Sequence, residues 1–245
     1  MKLKKLLPAG SLLALLLTTA CSTQKNATEQ RAEIEFQTTK GTFAMALFNE
    51  TPLHRDAYLL LAKCGFFDSL LIHRTINDFV VQGGDPTSRH APAGALLGDG
   101  DPFSIPPEIH YPALHHTRGM VNAAREADDT NPRRLSCGSQ FAIITTGPLT
   151  DTRIDAGEAL ARKWQNDPTF TIPDSIKKQY REIGGAPHLD NQYTVFAQII
   201  EGMDVVDSIQ SVKTDKNDRP LEDIRILKAT VRKDYIKMTP KKQKK

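Results

Sequence analysis

The sequence predicts a mainly β protein: a closed or nearly closed antiparallel barrel of short strands, with a helical insertion between two of them. Three observations carry this. Short runs of β-branched and aromatic residues recur between turn residues, only two helical patterns interrupt them in the main body, and one long polar stretch, Pro148–Pro187, is helix-like. Strands that are each apolar on one face bury it readily by curling into a barrel. With 245 residues the chain has length enough for one domain with a sizeable core.

Taken in order, "IEFQT" and "TFAMALF" flank "TKG" and read as a hairpin. Thr51-Pro52 then supplies the cap-then-proline order that opens a helix. Across "LHRDAYLLLAKCGF" the helix places Leu53, Ala57, Leu60 and Leu61 on its inward stripe, and Gly65 ends it. "LIHR", "FVVQG", "FAIIT" and "TVFAQII" read as strands, "GMDVVDSIQ" as a helix and "DIRILKATV" as the last strand. Within the insertion, "DAGEALARKWQ" and "DSIKKQYREIGG" each read as a helix ending near a breaker.

The two ends of the chain differ from this body. Residues 1–20, "MKLKKLLPAGSLLALLLTTA", carry three Lys, a leucine-rich core from Leu6 to Leu17 and then small residues, which is the layout of an export signal. That core is shorter than the roughly 20 residues a membrane-spanning helix needs. "TTAC" sets Cys21 after small residues and before polar "STQKNATEQ". It resembles a bacterial lipoprotein lipobox, with Thr18 where such boxes usually have Leu. The expectation is a signal peptide over 1–20, lipidation of Cys21 as a membrane anchor, a polar tether over 21–32 and a folded domain over 33–233. The expected setting is the bacterial cell envelope, on the periplasmic face or at the outer membrane. Residues 234–245 form a basic tail, expected to be a solvated terminus. Removing the leader's three Lys takes the formal charge from +3 to zero, and the body lacks the basic clusters of a nucleic-acid binder. Cys64 and Cys137 are expected to be free thiols, and the domain a monomer.

The chemistry concentrates in "IHRTINDFVVQGGDP", Ile72–Pro86. It sets Arg74, Asn77, Asp78, Gln82 and Asp85 among apolar residues, with no Cys or catalytic Ser beside them. Four further blocks follow: "GDGDPFSIPPEI", "RGMVNAAR", "CGSQFAIIT" and "HLDNQYTVFAQIIEGMDVVDSI". In this order the five blocks resemble the cyclophilin-type peptidyl-prolyl isomerases, from about Ile34 to Val231. The resemblance implies a closed eight-stranded antiparallel cyclophilin-like barrel capped by two helices, with residues 148–187 as a helical insertion outside the shared core. It implies rotation of X–Pro bonds in proline-containing polypeptide clients, in aid of protein folding, with no cofactor and no metal. A non-catalytic module or chaperone that clasps proline segments on the same fold is the alternative.

Prolyl rotation explains the residue types. The peptide C–N bond resists rotation by about 18–20 kcal/mol because the nitrogen lone pair is shared with the carbonyl. No bond breaks, so the useful groups are a donor aimed at the prolyl nitrogen as it turns pyramidal, an apolar wall for the ring and an amide for the carbonyl. Arginine suits the first role, being always charged and rigidly forked. A ten-thousand-fold gain asks for about 5.4 kcal/mol of differential transition-state binding. By the resemblance, Arg74 is the donor, Phe79 packs the ring, and Gln82 holds Arg74 and the substrate carbonyl. Val80 and Leu189 line the proline pocket, Ala124, Arg125 and Gln140 contact the substrate backbone, and His188 and Tyr193 form the rim. Three positions depart from the family pattern: Ala142 stands for a pocket aromatic, His188 for a Trp and Ala197 for a glycine. These departures imply a wider pocket and weak cyclosporin binding.

Other readings of the same residues have less behind them. Gly83 and Gly84 point to a tight backbone turn, since no strand–loop–helix phosphate signature surrounds them. "HYPALHH" offers His110, His115 and His116, with Glu108, as zinc donors, but adjacent histidines on an extended chain point opposite ways and HExxH is absent. Solvated loop histidines are expected there. Ser139 in "CGSQF" lacks the G-x-S-x-G elbow of a hydrolase and is expected to bond the local backbone of a turn.

Overall fold

The computed structural model describes residues 31–234. The expected export signal, Cys21 and the basic tail beyond Asp234 lie outside the described residues, as does the expected tether apart from Arg31 and Ala32. β1 (Glu33–Thr38) and β2 (Gly41–Leu47) form the expected hairpin, paired from Glu33↔Ala46 to Thr38↔Gly41. α1 (Pro52–Lys63), β3 (Leu71–Ile76) and β4 (Val80–Gly83) follow. β5 (Ser104–Ile105) and β7 (Ser136–Cys137) pair in a separate two-stranded sheet, while β6 (Met120–Ala123) and β8 (Phe141–Ile144) pair with each other. α2 (Asp151–Gln165) and α3 (Asp174–Ile183) make up the insertion, and β9 (Val195–Glu201), α4 (Met203–Gln210) and β10 (Ile224–Lys233) come last. The barrel is closed, in the order β1-β10-β3-β4-β8-β6-β9-β2, which makes eight antiparallel strands.

Inside, Phe36 meets Phe43, Phe67 and Phe141 with ring centroids 5.3, 5.4 and 5.5 Å away. Such pairs are worth about 0.5–1.5 kcal/mol each beyond their buried area. Ile34, Met45, Ile72, Val81, Val121 and Ile143 complete the surrounding layer, all buried. This core fixes strand register, because a one-residue slip would turn each of these side chains to the other face.

The inward stripe of α1 differs from the expected one. Leu61 is buried as expected, but Leu53 and Leu60 are 50% and 66% exposed, and His54, Tyr58 and Ala62 are buried instead. Two contacts rotate the helix. Tyr58 fills the barrel end against Phe196, 4.2 Å between centroids. The helix start is held by Glu108, whose carboxylate accepts the Leu53 and His54 N–H groups at 3.0 Å each and pairs with His54 Nδ1 at 2.7 Å. Thr51 gives no side-chain cap; a carboxylate from a distant loop takes that role. At the other end Phe66 N–H reaches back to Leu61 O and Gly65 N–H to Ala62 O, the paired bonds of a glycine-terminated helix.

The insertion has a core of its own. Ile154 and Ala161 of α2 and Ile176 and Tyr180 of α3 close around Leu149, Phe170 and Ile172. Polar bonds then tie it to the barrel: Tyr180 Oη donates to Asp190 Oδ2 at 2.7 Å, and Asp190 Oδ1 lies 3.0 Å from both His116 N–H and His116 Nδ1. His115 is buried as well, its Nε2 3.3 Å from Gln179 Oε1 on α3. The expectation of solvated histidines is therefore corrected for His115 and His116, which are 7% and 1% exposed; His110 is exposed. The insertion packs down on their loop, where Gln179 meets His115 Nε2 and the nearby Asp190 meets His116 Nδ1.

Candidate active site

The β3–β4 hairpin sets the site. Arg74 lies directly across from Gln82 in the ladder, and Arg74 Nη1 donates to Gln82 Oε1 at 3.4 Å while Nε stands 3.5 Å from the Asp218 carboxylate. Both distances are long, and a guanidinium has five N–H donors. The cation is thus steered toward the groove without being consumed by its neighbours. Gly84 lets the strand run close beside the Ser139–Gln140 backbone: its φ is +95°, and a Cβ there would sit 2.1 Å from Ser139 O. Ser139 Oγ donates to Gly84 O at 2.8 Å, which corrects the expectation of a bond within its own turn: this serine bonds across to the neighbouring strand region.

Arg74 and Gln82 open onto a hollow of about 230 Å³ that is also lined by Phe79, Val80, Ala142 and Leu189. Val80, Ala142 and Leu189 are buried in one apolar cluster with Ile144 and Ala186 behind them. Ala124, Arg125 and Tyr193 line the same hollow. Nine of the eleven residues assigned to the prolyl site from the sequence therefore meet in one place. Gln140 lies one step away: it accepts from Gln82 Nε2 at 3.3 Å, and its own Nε2 donates to the Gly98 and Gly100 carbonyls at 2.8 and 2.6 Å. It lines the neighbouring hollow of about 280 Å³, together with Gln82, Ala124 and Arg125. His188 stands beside Phe79, 5.3 Å between ring centroids, and lines a different hollow.

Asn122 is the pocket residue that sequence reasoning missed. It is 3% exposed, and its Oδ1 has no hydrogen-bond partner among the described residues. The available signal was a lone amide inside the apolar run "MVNAA".

The two pocket arginines are not equivalent. Arg125 is held on every side: Nε donates to Gln192 O at 2.9 Å, Nη1 is 2.6 Å from Asp128, and the guanidinium lies 4.5 Å over the Tyr193 ring. Burial would raise the Asp128 carboxyl, but hydrogen bonds from Arg134 and Arg125 outweigh it and hold the group below the usual carboxylate range. Arg125 is thus a wall, and Arg74 is the more available donor. His188 is pushed down to about 4, first by burial and then by the nearby His116, with Asp190 opposing. At neutral pH it presents an uncharged ring beside Phe79.

The fold and site define a class: closed eight-stranded antiparallel barrels with a partly apolar surface groove and a guanidinium at its edge. The comparisons agree. The family described as "Cyclophilin type peptidyl-prolyl cis-trans isomerase/CLD" matches residues 33–231. A Staphylococcus haemolyticus protein named "Putative peptidyl-prolyl cis-trans isomerase" is 30% identical over 203 residues, 82% of this chain and 91% of that one. A Staphylococcus aureus protein of the same name is 32% identical over 206 residues, 82% of this chain and 93% of that one. Among solved structures, a Cryptosporidium parvum cyclophilin-type isomerase superposes with a TM-score of 0.58 at 21% identity, covering 84% of this chain and 100% of that one. The chain belongs to the cyclophilin-type peptidyl-prolyl cis-trans isomerase family, and its activity is rotation of X–Pro bonds in polypeptides.

Proposed function

We propose that Arg74 is the group that drives this rotation, with Phe79, Val80, Ala142 and Leu189 gripping the proline ring and Gln82 steadying both Arg74 and the substrate carbonyl. The observation that carries the reading is the cross-strand Arg74–Gln82 pair at the mouth of the apolar hollow. As the bond twists, the prolyl nitrogen recovers its lone pair and becomes an acceptor. A charged donor already fixed nearby meets that acceptor with little reorganisation, which is the form of electrostatic stabilisation that lowers a barrel-bound barrier most. In the planar ground state the lone pair is delocalised, so the same donor gains little there, and the binding is differential. Ala124 and Arg125 flank the residues before the proline, and Tyr193 closes the rim. Two-dimensional exchange spectroscopy on an Ala–Pro peptide tests this: Arg74→Ala loses at least about 100-fold in kcat/KM, or about 2.7 kcal/mol, with the barrel still folded. Unchanged exchange in the variant removes Arg74 from the mechanism.

The proposed setting is the bacterial cell envelope, with the domain tethered through lipidated Cys21 and acting on exported, proline-containing clients as a monomer without cofactor. What supports it is the basic, leucine-rich, small-residue pattern of residues 1–20 followed by Cys21. Mass analysis of the mature N-terminus, and detergent-phase partitioning of Cys21→Ser, test it: the variant loses the acyl mass and moves to the aqueous phase.

A further inference from the structure

The second helix, α2, does more than cover the side of the barrel. Its residues Arg153, Gly157, Leu160 and Trp164 follow the spacing of a single helical stripe. The neighbouring stripe, with Ile154 and Ala161, is the one turned into the insertion's own core. The first stripe is turned toward the prolyl groove. Gly157 makes the approach possible, since a Cβ there would sit 2.5 Å from Pro187 Cγ. Trp164 stands edge-on to His188 at 5.5 Å between centroids, next to Phe79 in its turn. Arg153 Nη2 donates to Asp78 in the β3–β4 turn at 3.2 Å, fixing the start of α2 beside Phe79.

Between α2 and the barrel lies a mainly apolar hollow of about 350 Å³, with Phe79, Leu160, Pro187 and His188 among its walls. Phe79 lines both this hollow and the prolyl pocket, whereas Gln82, Ala124 and Arg125 line only the pocket side. Trp164 is 45% exposed and, with Arg125 and Tyr193, walls a further hollow of about 270 Å³ at another edge of the prolyl pocket. A half-exposed indole and an apolar hollow that adjoin a peptide groove call for an apolar partner. A client chain bound in that groove is the partner best placed to reach them.

We propose that α2 forms an extended client subsite, in which the hollow between Phe79, Leu160 and His188 takes an apolar side chain from the residue that follows the proline, with Trp164 bracing the His188 wall from behind. This rests on the prolyl-groove reading given above. Direction comes from the same reading: residues before the proline run along Ala124 and Arg125 with their carbonyl at Gln82, so the chain beyond the ring leaves past Phe79.

The experiment is exchange spectroscopy on the full chain with four prolyl peptides: Phe or Gly directly after the proline, and Phe or Gly two places before it. The expected result is a kcat/KM about tenfold higher for Phe than for Gly after the proline, as burial of one aromatic side chain allows, and no comparable gain before it. Leu160→Glu and Trp164→Ala each bring that ratio toward one, and because the ratio is internal to each variant a partly unfolded sample does not mimic the effect. In the unaltered protein Trp164, the one tryptophan of the chain, reports the same event through a larger emission shift with Phe than with Gly after the proline. A ratio near one, with the Gly peptide still turned over, overturns the subsite and leaves the prolyl groove standing. Turnover of none of the peptides overturns the groove reading and the subsite with it. A preference confined to the position before the proline reverses the client and overturns the proposal.

Discussion

The barrel and the insertion bury apolar surface by different means. The barrel closes on itself, so every strand is paired on both edges and its interior is filled by interlocked rings around Phe36. The insertion has only seven buried apolar residues in its core, too few to stand without polar cross-links. It therefore leans on two buried carboxylates. Asp190 ties Tyr180 to His116, and Glu158 accepts Ile172 N–H and pairs with Lys177, both at 2.9 Å. Burial alone would raise the Glu158 carboxyl, but the Ile172 N–H and Lys177 outweigh it and keep it below the ordinary range. The difference divides the labour. The barrel fixes the Arg74–Gln82 register through packing that tolerates no slip, and the insertion shapes the groove's flank through bonds that can be loosened one at a time.

That division is breakable, and the largest effect belongs to the barrel. Phe36→Ala leaves a cavity among three rings and costs about 4 kcal/mol in urea unfolding, with activity lost in step with the fold. A cost under about 1 kcal/mol would mean the ring cluster is not what holds the register. Next comes acid. His73, buried on β3, is lowered from 6.5 to about 4, by burial first and further by Arg74 and Arg219, with Asp85 opposing. Its folded pKa lies below the unfolded one, so the unfolded chain takes up the proton first. Stability is then full above about pH 6.5 and falls as pH drops toward 4, by on the order of 3 kcal/mol. The midpoint of thermal unfolding followed from pH 7.5 to 4.5 checks this, and His73→Leu flattens the fall. On the insertion side, Tyr180→Phe removes one donor to Asp190 and costs about 1–2 kcal/mol. Its signature is a raised KM for longer clients at constant kcat, because the flank shifts while Arg74 does not. The smallest change is Ala142→Phe, which refills the pocket wall: cyclosporin, expected to bind weakly to the unaltered protein, binds more tightly, while stability falls by about 1 kcal/mol, the low end for an enlarged buried side chain, since the ring faces the hollow.

Much of this was legible in the sequence where local pattern and fold agree. The β1–β2 hairpin, the strands β3, β4, β8, β9 and β10, and both insertion helices carry their own periodicity and turn residues. Arg74 and Gln82 meet because a short hairpin joins their strands. What escaped was decided at a distance. β6 is four residues long and exists because β8 and β9 offer ladders on both sides. Four leucines made the α1 stripe ambiguous, and Tyr58 and Glu108, contacts from elsewhere in the fold, settled its rotation. His115 and His116 read as loop residues until the insertion covered them. Trp164 lies far from the matching blocks in sequence, and nothing local indicates that it stands beside His188.

The most direct measurement is kcat/KM of Arg74→Lys for a prolyl peptide, taken beside the peptide's affinity. Lysine keeps the charge but lacks the planar fork, which is what reaches Gln82 and the turning nitrogen together. The variant is expected to bind the peptide within about threefold of the unaltered protein, since a point charge satisfies most of the ground-state contact, and to keep under about a tenth of its turnover, a loss of at least about 1.4 kcal/mol. Turnover equal to that of the unaltered protein would contradict the role assigned to the Arg74 guanidinium.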